Sequence, residues 1–301
     1  MPGPSIPLID CGGMRPGADR GALGQALCAA AQDSGFMCLR NTGLDAALLQ
    51  NAFTSSKRFF ALADADKETL RYRDIQRNHG YVALGQEALD PLASADRKES
   101  FTMRDALRSA SDVTAWPGSA FRNDALALFA AARALAEGLL DAIGLALGLQ
   151  PGYFAQRHRG ENQTLRFLHY PPQHGGDLAA GAGAHTDYGS LTLLWQDGNP
   201  GLEVRAADGA WVPVPADADA VVVNTGDLLE RWSNGRFRST LHRVRPLQPW
   251  RSRYSIAFFS DPDDAVLVSS LAGCVPVGQP PAYAPITARD HILHKLAASY
   301  G

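Results

Sequence analysis

Cysteine is scarce in this sequence. The four present, Cys11, Cys28, Cys38 and Cys274, form no Cys-x-x-Cys pair, which argues against a zinc ribbon, and they are too few in 301 residues for a disulfide scaffold. They read as reduced thiols of a cytoplasmic protein. Long apolar runs are missing as well. Even the Ala/Leu-rich stretch 124–149 is broken by Arg133, Glu137 and Asp141, so no segment suits a bilayer. Residues 1–10 lack a basic segment followed by an apolar one, so no secretion signal is expected. Neither sign of charge dominates: 28 Lys and Arg face 31 Asp and Glu, for a net charge of -3. That balance leaves no electrostatic footprint for nucleic acid or a membrane surface. There is no internal repeat and no low-complexity linker. What remains is a chain that is 46% hydrophobic and 20% charged, enough to build a substantial core.

Periodicity divides the chain into two characters. Before residue 150 helical stripes dominate. Leu23, Leu27 and Ala30 predict a helix over 19–33, and Leu48, Leu49, Phe53, Phe59 and Phe60 predict another over 45–61. The clearest helix spans about 123–149, with Leu126, Phe129, Leu135, Leu139, Ile143 and Leu147 as its stripe and Gly148 and Pro151 as its stop. Short strands are expected at 5–10 and 35–39. The polar segment 68–105 reads as chain winding over a surface. From Thr164 onward, β-type runs recur at 164–169, 190–196, 202–205, 211–213, 220–224, 239–245 and 254–259, separated by turns rich in Gly, Pro, Asn and Asp. Many short strands at this spacing predict a jelly roll, giving a mainly β protein with a helical N-terminal region in one domain.

The residues that carry chemistry lie in the second half. His185-Thr186-Asp187 places an imidazole and a carboxylate two positions apart, and residues i and i+2 at a strand end share a face. His242 follows 55 positions later within the β-like run Ser239-Thr240-Leu241-His242-Arg243-Val244. Two histidines and a carboxylate can hold a metal on one face and leave the other open. Taken alone, His185 could cap a turn and Asp187 could be a solvated carboxylate. Zinc also accepts this ligand set, but a hydrolytic zinc site usually wants a nearby general base, and no His-Glu-x-x-His motif is present, so Fe(II) is preferred. Arg253 and Ser255 share a strand face by the same period of two. A guanidinium beside a hydroxyl suits a carboxylate ligand, although a structural ion pair is the commoner fate of a lone arginine.

Several motifs in one order make a resemblance plain. His185 to Leu194 (HTDYGSLTLL), Pro200-Gly201-Leu202-Glu203-Val204, Asn224-Thr225-Gly226-Asp227, Trp232-Ser233-Asn234-Gly235, the His242 run and Arg253-Tyr254-Ser255 resemble the catalytic core of the isopenicillin N synthase-like family of non-haem Fe(II)/2-oxoglutarate-dependent oxygenases. Pro7-Leu8-Ile9-Asp10, Gly35-Phe36, Phe59-Phe60 and Lys98-Glu99 are similar, more loosely, to its N-terminal region. The resemblance implies a distorted double-stranded β-helix, with a helical and mixed N-terminal region over 1–160, an oxygenase core over 161–262 and a C-terminal extension over 263–301 packed on that core. It implies that His185, Asp187 and His242 bind Fe(II), and that Arg253 with Ser255 holds the distal carboxylate of 2-oxoglutarate. Tyr170 falls near the co-substrate and Arg166 near the metal. Leu168 stands where many plant relatives carry an asparagine (Asn-Tyr-Tyr-Pro against Leu168-His169-Tyr170-Pro171). Asp187 argues against the halogenating subtype, in which a halide takes the carboxylate's place.

The implied reaction oxidises a small molecule by hydroxylation, desaturation or cyclisation, consuming O2 and 2-oxoglutarate and releasing succinate and CO2, with ascorbate as a stimulant. Two alternatives stay open: an oxidase of the same fold that dispenses with 2-oxoglutarate, and a metal-free binding module. No obligate protein partner is expected. Residues 79–104 and the stretch after Phe259 are candidate roofs over the site. Glu87 could meet a cationic group and Arg104 an anionic one, but each reads first as a solvated surface charge; Asn224, Gly226 and Asp227 read as a structural turn before the strand to His242, and Trp232 as a packing residue.

Overall fold

A computed structural model describes residues 6–14, 20–73, 77–90, 94–109, 115–173, 180–245 and 251–300. Residues 5, 19, 74–76 and 91–93 of the expected segments lie outside these. The first half holds β1 (Leu8–Asp10), α1 (Arg20–Asp33), β2 (Phe36–Arg40), α2 (Ala46–Phe60), α3 (Asp64–Glu68), β3 (Gly80–Val82), β4 (Glu99–Arg104), α4 (Ala106–Ser109) and α5 (Ser119–Ala146). The second half holds β5 (Gln163–Tyr170), β6 (Ala182–His185), β7 (Leu191–Gln196), β8 (Leu202–Arg205), β9 (Trp211–Pro213), β10 (Val221–Thr225), α6 (Asp227–Trp232), β11 (His242–Val244), β12 (Arg253–Ser260), β13 (Leu267–Val268), β14 (Ile286–Thr287) and α7 (Ala288–Tyr300).

Two facing sheets form the double-stranded β-helix. The larger has eight strands in the order β1-β2-β10-β7-β12-β5-β4-β3, and the smaller has four, β6-β11-β8-β9. Strand alternation sorts side chains between two cores. On β12, Ile256 and Phe258 join Leu165, Phe167, Leu193, Trp195, Val221 and Val223 against the helices. The opposite face carries Ala257 with Leu168, Tyr170 and Val222, which meet Ala182, Leu202, Val204 and Val244 of the small sheet. Arg253, Ser255 and Phe259 share the inward parity of Ala257, so the period of two decides that they face the space between the sheets.

Helix α5 lies across the outer face of the large sheet, where Phe129 meets Phe258 edge-on at 5.2 Å. It begins at Ser119, earlier than its stripe suggests. Phe121 is the reason: it packs on Phe101 and Phe167, with ring centroids 5.2 and 4.9 Å away. At the other end Gly148 adopts φ 76°, and Leu149 N–H donates to Gly144 O at 2.9 Å, closing the helix. Helices α1 and α5 approach so closely at Gly24 that a Cβ there would overlap the Ala142 carbonyl oxygen. Alanine favours an isolated helix by about 1 kcal/mol over glycine, but a backbone carbonyl cannot rotate away, and overpacking costs about 1–3 kcal/mol. Gly24→Ala is therefore expected to lower the thermal unfolding midpoint by a few degrees, the reverse of the propensity scale.

Segment 68–105 differs from expectation. Instead of winding over a surface, it supplies β3 and β4 to the edge of the large sheet, and Asp96, Lys98 and Glu99 are all at most 5% exposed. Pairing makes this possible. Glu99 accepts from Lys67 Nζ at 2.8 Å and Tyr81 Oη at 2.5 Å and meets His169 Nδ1 at 2.7 Å, while Lys98 pairs with Asp96. The expected turn at 224–227 leads first into α6, and β11 follows. Trp232 is 1% exposed and packs as expected. All four cysteines are buried, and burial pushes the thiols of Cys11, Cys28 and Cys38 up to about 11. No helix among the described residues is long and apolar enough to cross a membrane.

Candidate active site

His185 ends β6, His242 begins β11, and the two are directly opposite in the antiparallel register. Their ring centroids are 4.3 Å apart. Asp187 lies just beyond β6, in the loop 186–190, so the strand period alone does not aim it. Backbone bonds do: Asp227 N–H donates to Asp187 O at 2.9 Å and Leu228 N–H to Gly189 O at 2.9 Å, folding the loop onto the start of α6. Asp187 Oδ1 then sits 3.9 Å from His185 Nε2 and 3.7 Å from His242 Nε2. One ligand atom from each of the three residues lies within 4.8 Å of the others.

The protonation states suit a metal. His185 Nδ1 contacts Gly183 O at 2.8 Å and His242 Nδ1 contacts Thr240 O at 3.1 Å. A carbonyl only accepts, so each Nδ1 carries a hydrogen, and each Nε2 is turned toward Asp187. Burial and the adjacent His242 push His185 down to about 3, leaving it neutral at pH 7. Burial works against the Asp187 carboxylate, but His242, His185 and hydrogen bonds from Asn224 and Thr192 outweigh it and hold its pKa below the usual range. Two imidazoles with Nε2 turned inward and one carboxylate fit a divalent cation such as Fe(II).

Asn224 was expected only to shape a turn. Its Nδ2 donates to Asp187 Oδ2 at 2.7 Å, beside Thr192 Oγ1 at 2.6 Å, which leaves Oδ1 to face the histidines. The signal was a polar residue at an inward position of the apolar run Val221-Val222-Val223-Asn224. Asn224→Ala is expected to weaken metal binding by about 10–100-fold, the usual effect of losing a partner that orients a ligand. Titration of the apoprotein with Mn(II) measures this, and unchanged affinity would contradict it.

Arg253 is 1% exposed. Its guanidinium donates to Gln196 Oε1 at 3.0 Å and Ser255 Oγ at 3.4 Å and lies 4.9 Å from the centre of the Tyr170 ring. Its Nε is buried without a hydrogen-bond partner, and among the described residues no carboxylate pairs with it. A buried guanidinium in this condition calls for an anion. Gln196, which sequence reasoning missed, shares this end of the sheet because its strand registers Gln196 against Ser255.

A cavity of about 610 Å³ joins the Arg253 end to the three converging side chains and continues past them. Arg166 lines it, on the same face of β5 as Leu168 and Tyr170, two and four residues before them. Glu87, expected on the surface, reaches the same wall and pairs with Arg166, whose guanidinium also donates to Ser100 Oγ at 2.8 Å. Burial raises the Glu87 carboxyl, but Arg166 and Lys98 more than offset this and hold it at about 2, so the pair stays ionised. Arg104 lines the cavity too and donates to Asn162, so neither charge is simply solvated. Asp261, beyond the end of β12, also faces the cavity, and burial and nearby Asp187 push its carboxyl up to about 7. Tyr188 and Ile292 also line the cavity.

Comparison with known proteins agrees with this geometry. The model of the 2OG-Fe(II) oxygenase superfamily matches residues 161–262, and that of the non-haem dioxygenase in morphine synthesis N-terminal region matches residues 6–119. The chain is 31% identical over 304 residues to the 2-oxoglutarate-Fe(II) type oxidoreductase hxnY of Emericella nidulans, covering 95% of this chain and 87% of that one. Among solved structures it is similar to a full-length Neurospora crassa protein in complex with alpha-KG and thymine, with a TM-score of 0.87 and 30% identity over 98% of this chain and 97% of that one. It is also similar to JOX2 in complex with 2OG, Fe and JA, with a TM-score of 0.82 and 27% identity over 97% and 85% of the two chains.

Proposed function

The chain belongs to the 2OG-Fe(II) oxygenase superfamily, and from that membership we propose how its residues divide the work of oxidising a small molecule. His185, Asp187 and His242 hold Fe(II). Arg253 and Ser255 hold the distal carboxylate of 2-oxoglutarate, Gln196 fixes the guanidinium from behind, and the Tyr170 ring supports its face. The bound iron supplies activation of O2, with 2-oxoglutarate converted to succinate and CO2 as the substrate is oxidised.

One observation carries this reading: three ligand atoms converge while both imidazole Nδ1–H groups are committed to carbonyls. The buried Arg253 without a carboxylate favours 2-oxoglutarate over an oxidase that dispenses with it. The converging donors favour a metalloenzyme over a metal-free module. The unit of function is the core at 161–262, with 1–160 and 263–301 as additions that roof and brace it. A reducing compartment such as the cytoplasm suits four buried, free thiols.

The substrate is a small molecule with hydrogen-bonding groups. The cavity must hold it together with 2-oxoglutarate, and 610 Å³ lies within the ordinary range of small-ligand pockets. The Neurospora crassa protein has been crystallised with thymine and JOX2 with JA, both compact. The wall offers this substrate Arg166 and Glu87 as a donor and acceptor side by side. Hydroxylation, desaturation and ring closure all remain within reach of the same ligands. The test is a panel of small heterocycles and acids scored for succinate formed above the background without substrate. At least one compact polar compound is expected to raise it more than about tenfold. Stimulation by polypeptides alone would overturn the small-molecule reading.

A further inference from the structure

Helix α7 comes from the far end of the chain and lies against the loop that joins His185 to Asp187. Ile292 forms part of the cavity wall. One turn further, Lys295 Nζ is 2.9 Å from Asp227 Oδ2, 3.2 Å from Thr186 Oγ1 and 5.4 Å from the centre of the Tyr188 ring. Thr186 stands between the two ligands in sequence, and its hydroxyl also lies 3.4 Å from Asp227 Oδ2. The backbone of the same Asp227 donates to Asp187 O at 2.9 Å. One lysine thus meets the loop both directly, at Thr186, and through the residue that anchors Asp187. Ser239 Oγ donates to Asp227 Oδ1, so the carboxylate cannot swing toward Lys295 without losing a second partner.

We propose that Lys295 is a positioning residue for the metal-binding loop, so that seating α7 against the cavity and setting the ligand geometry are a single event. The inference rests on the assignment of His185 and Asp187 as iron ligands. The physical reason is reach. Thr186, Asp187 and Tyr188 lie beyond the end of β6, outside its ladder; backbone bonds from the start of α6 hold the loop at Asp187, Gly189 and Ser190, and Lys295 adds the side-chain contact at Thr186. An ion pair whose lysine stays 37% exposed is weak as a source of stability, so the effect of Lys295 should fall on the loop it touches rather than on the fold.

The full-length protein tests this with Lys295→Met and Lys295→Arg. Mn(II) is titrated in the presence of 2-oxoglutarate, and amide hydrogen exchange at Asp227 and Leu228 is followed in the metal-free protein. Lys295→Met is expected to weaken Mn(II) about tenfold and to speed exchange at both amides, with little change in the unfolding midpoint. Lys295→Arg should recover the affinity to within about threefold, since it keeps the charge. Wild-type affinity and exchange in Lys295→Met would overturn the proposal. So would an equal loss in both variants accompanied by a lower unfolding midpoint, which would mark a packing role. His185→Ala separates the two assignments: if it binds Mn(II) as the wild type does, the ligand set is wrong, and the exchange data still decide the role of Lys295. Should Lys295→Met fail to fold, Thr186→Val removes the other side of the contact, and unchanged affinity there overturns the proposal equally.

Discussion

His185→Ala is expected to abolish succinate formation from 2-oxoglutarate and to weaken Fe(II) by more than about 100-fold. Losing a residue that merely orients a ligand costs about 10–100-fold, and His185 Nε2 is itself one of three converging donors. Two remaining ligands, Asp187 and His242, leave the cation to water on more than half of its faces. The fold should survive. The imidazole keeps 17% of its side chain exposed at the edge of the cavity, and its only fixed partner on Nδ1 among the described residues is the Gly183 carbonyl, which water can reach once the ring is gone. Metal titration, succinate assay and thermal unfolding on the same preparation separate these effects. Turnover at the wild-type rate would refute the ligand assignment.

Arg253→Met carries the second large effect, and its sign differs with and without co-substrate. Truncating one partner of a buried charge pair costs about 2–5 kcal/mol, which corresponds to roughly 30-fold or more in the KM for 2-oxoglutarate. Arg253→Lys should recover little of this, because an ammonium cannot offer a planar pair of donors while also holding Gln196 Oε1. Without 2-oxoglutarate the expectation reverses. The wild type then buries a cation with no carboxylate beside it, whereas methionine fills similar space without charge, so the apoprotein of Arg253→Met should unfold at an equal or higher temperature. Adding 2-oxoglutarate with Mn(II) should raise the midpoint of the wild type and leave that of the variant almost unmoved. A variant stabilised by 2-oxoglutarate as strongly as the wild type would remove Arg253 from the co-substrate site.

Helices α1, α2 and α5 and most strands were legible because their periods are local. The stripe of α5 and the alternation of β5, β10 and β12 follow from residues three, four or two positions apart. Segment 68–105 was not legible. A run such as Asp96-Arg97-Lys98-Glu99 looks solvated until Lys67, Tyr81 and His169 are known to surround Glu99, and those partners lie 32, 18 and 70 positions away. Helix α6 escaped for another reason, since six residues are too few to display a helical period.

The same division runs through the site. His185, Asp187, His242 and Arg253 could be singled out because metal and carboxylate chemistry restricts residue type, and a strict two-residue spacing survives any detail of packing. Asn224, Gln196, Glu87 and Lys295 could not, because amides and charges have many uses and theirs depends on what stands across a sheet or at the end of a distant helix. Lys295 meets Thr186 across 109 positions. By itself, then, the sequence singled out His185, Asp187, His242 and Arg253 as candidates and predicted the β-rich class of fold, from residue type, short-range period and the order of several motifs. Only the tertiary structure decided which oxygen of Asp187 faces the histidines, which wall Arg166 and Glu87 share and what braces the loop, because those depend on contacts between segments that no local pattern records.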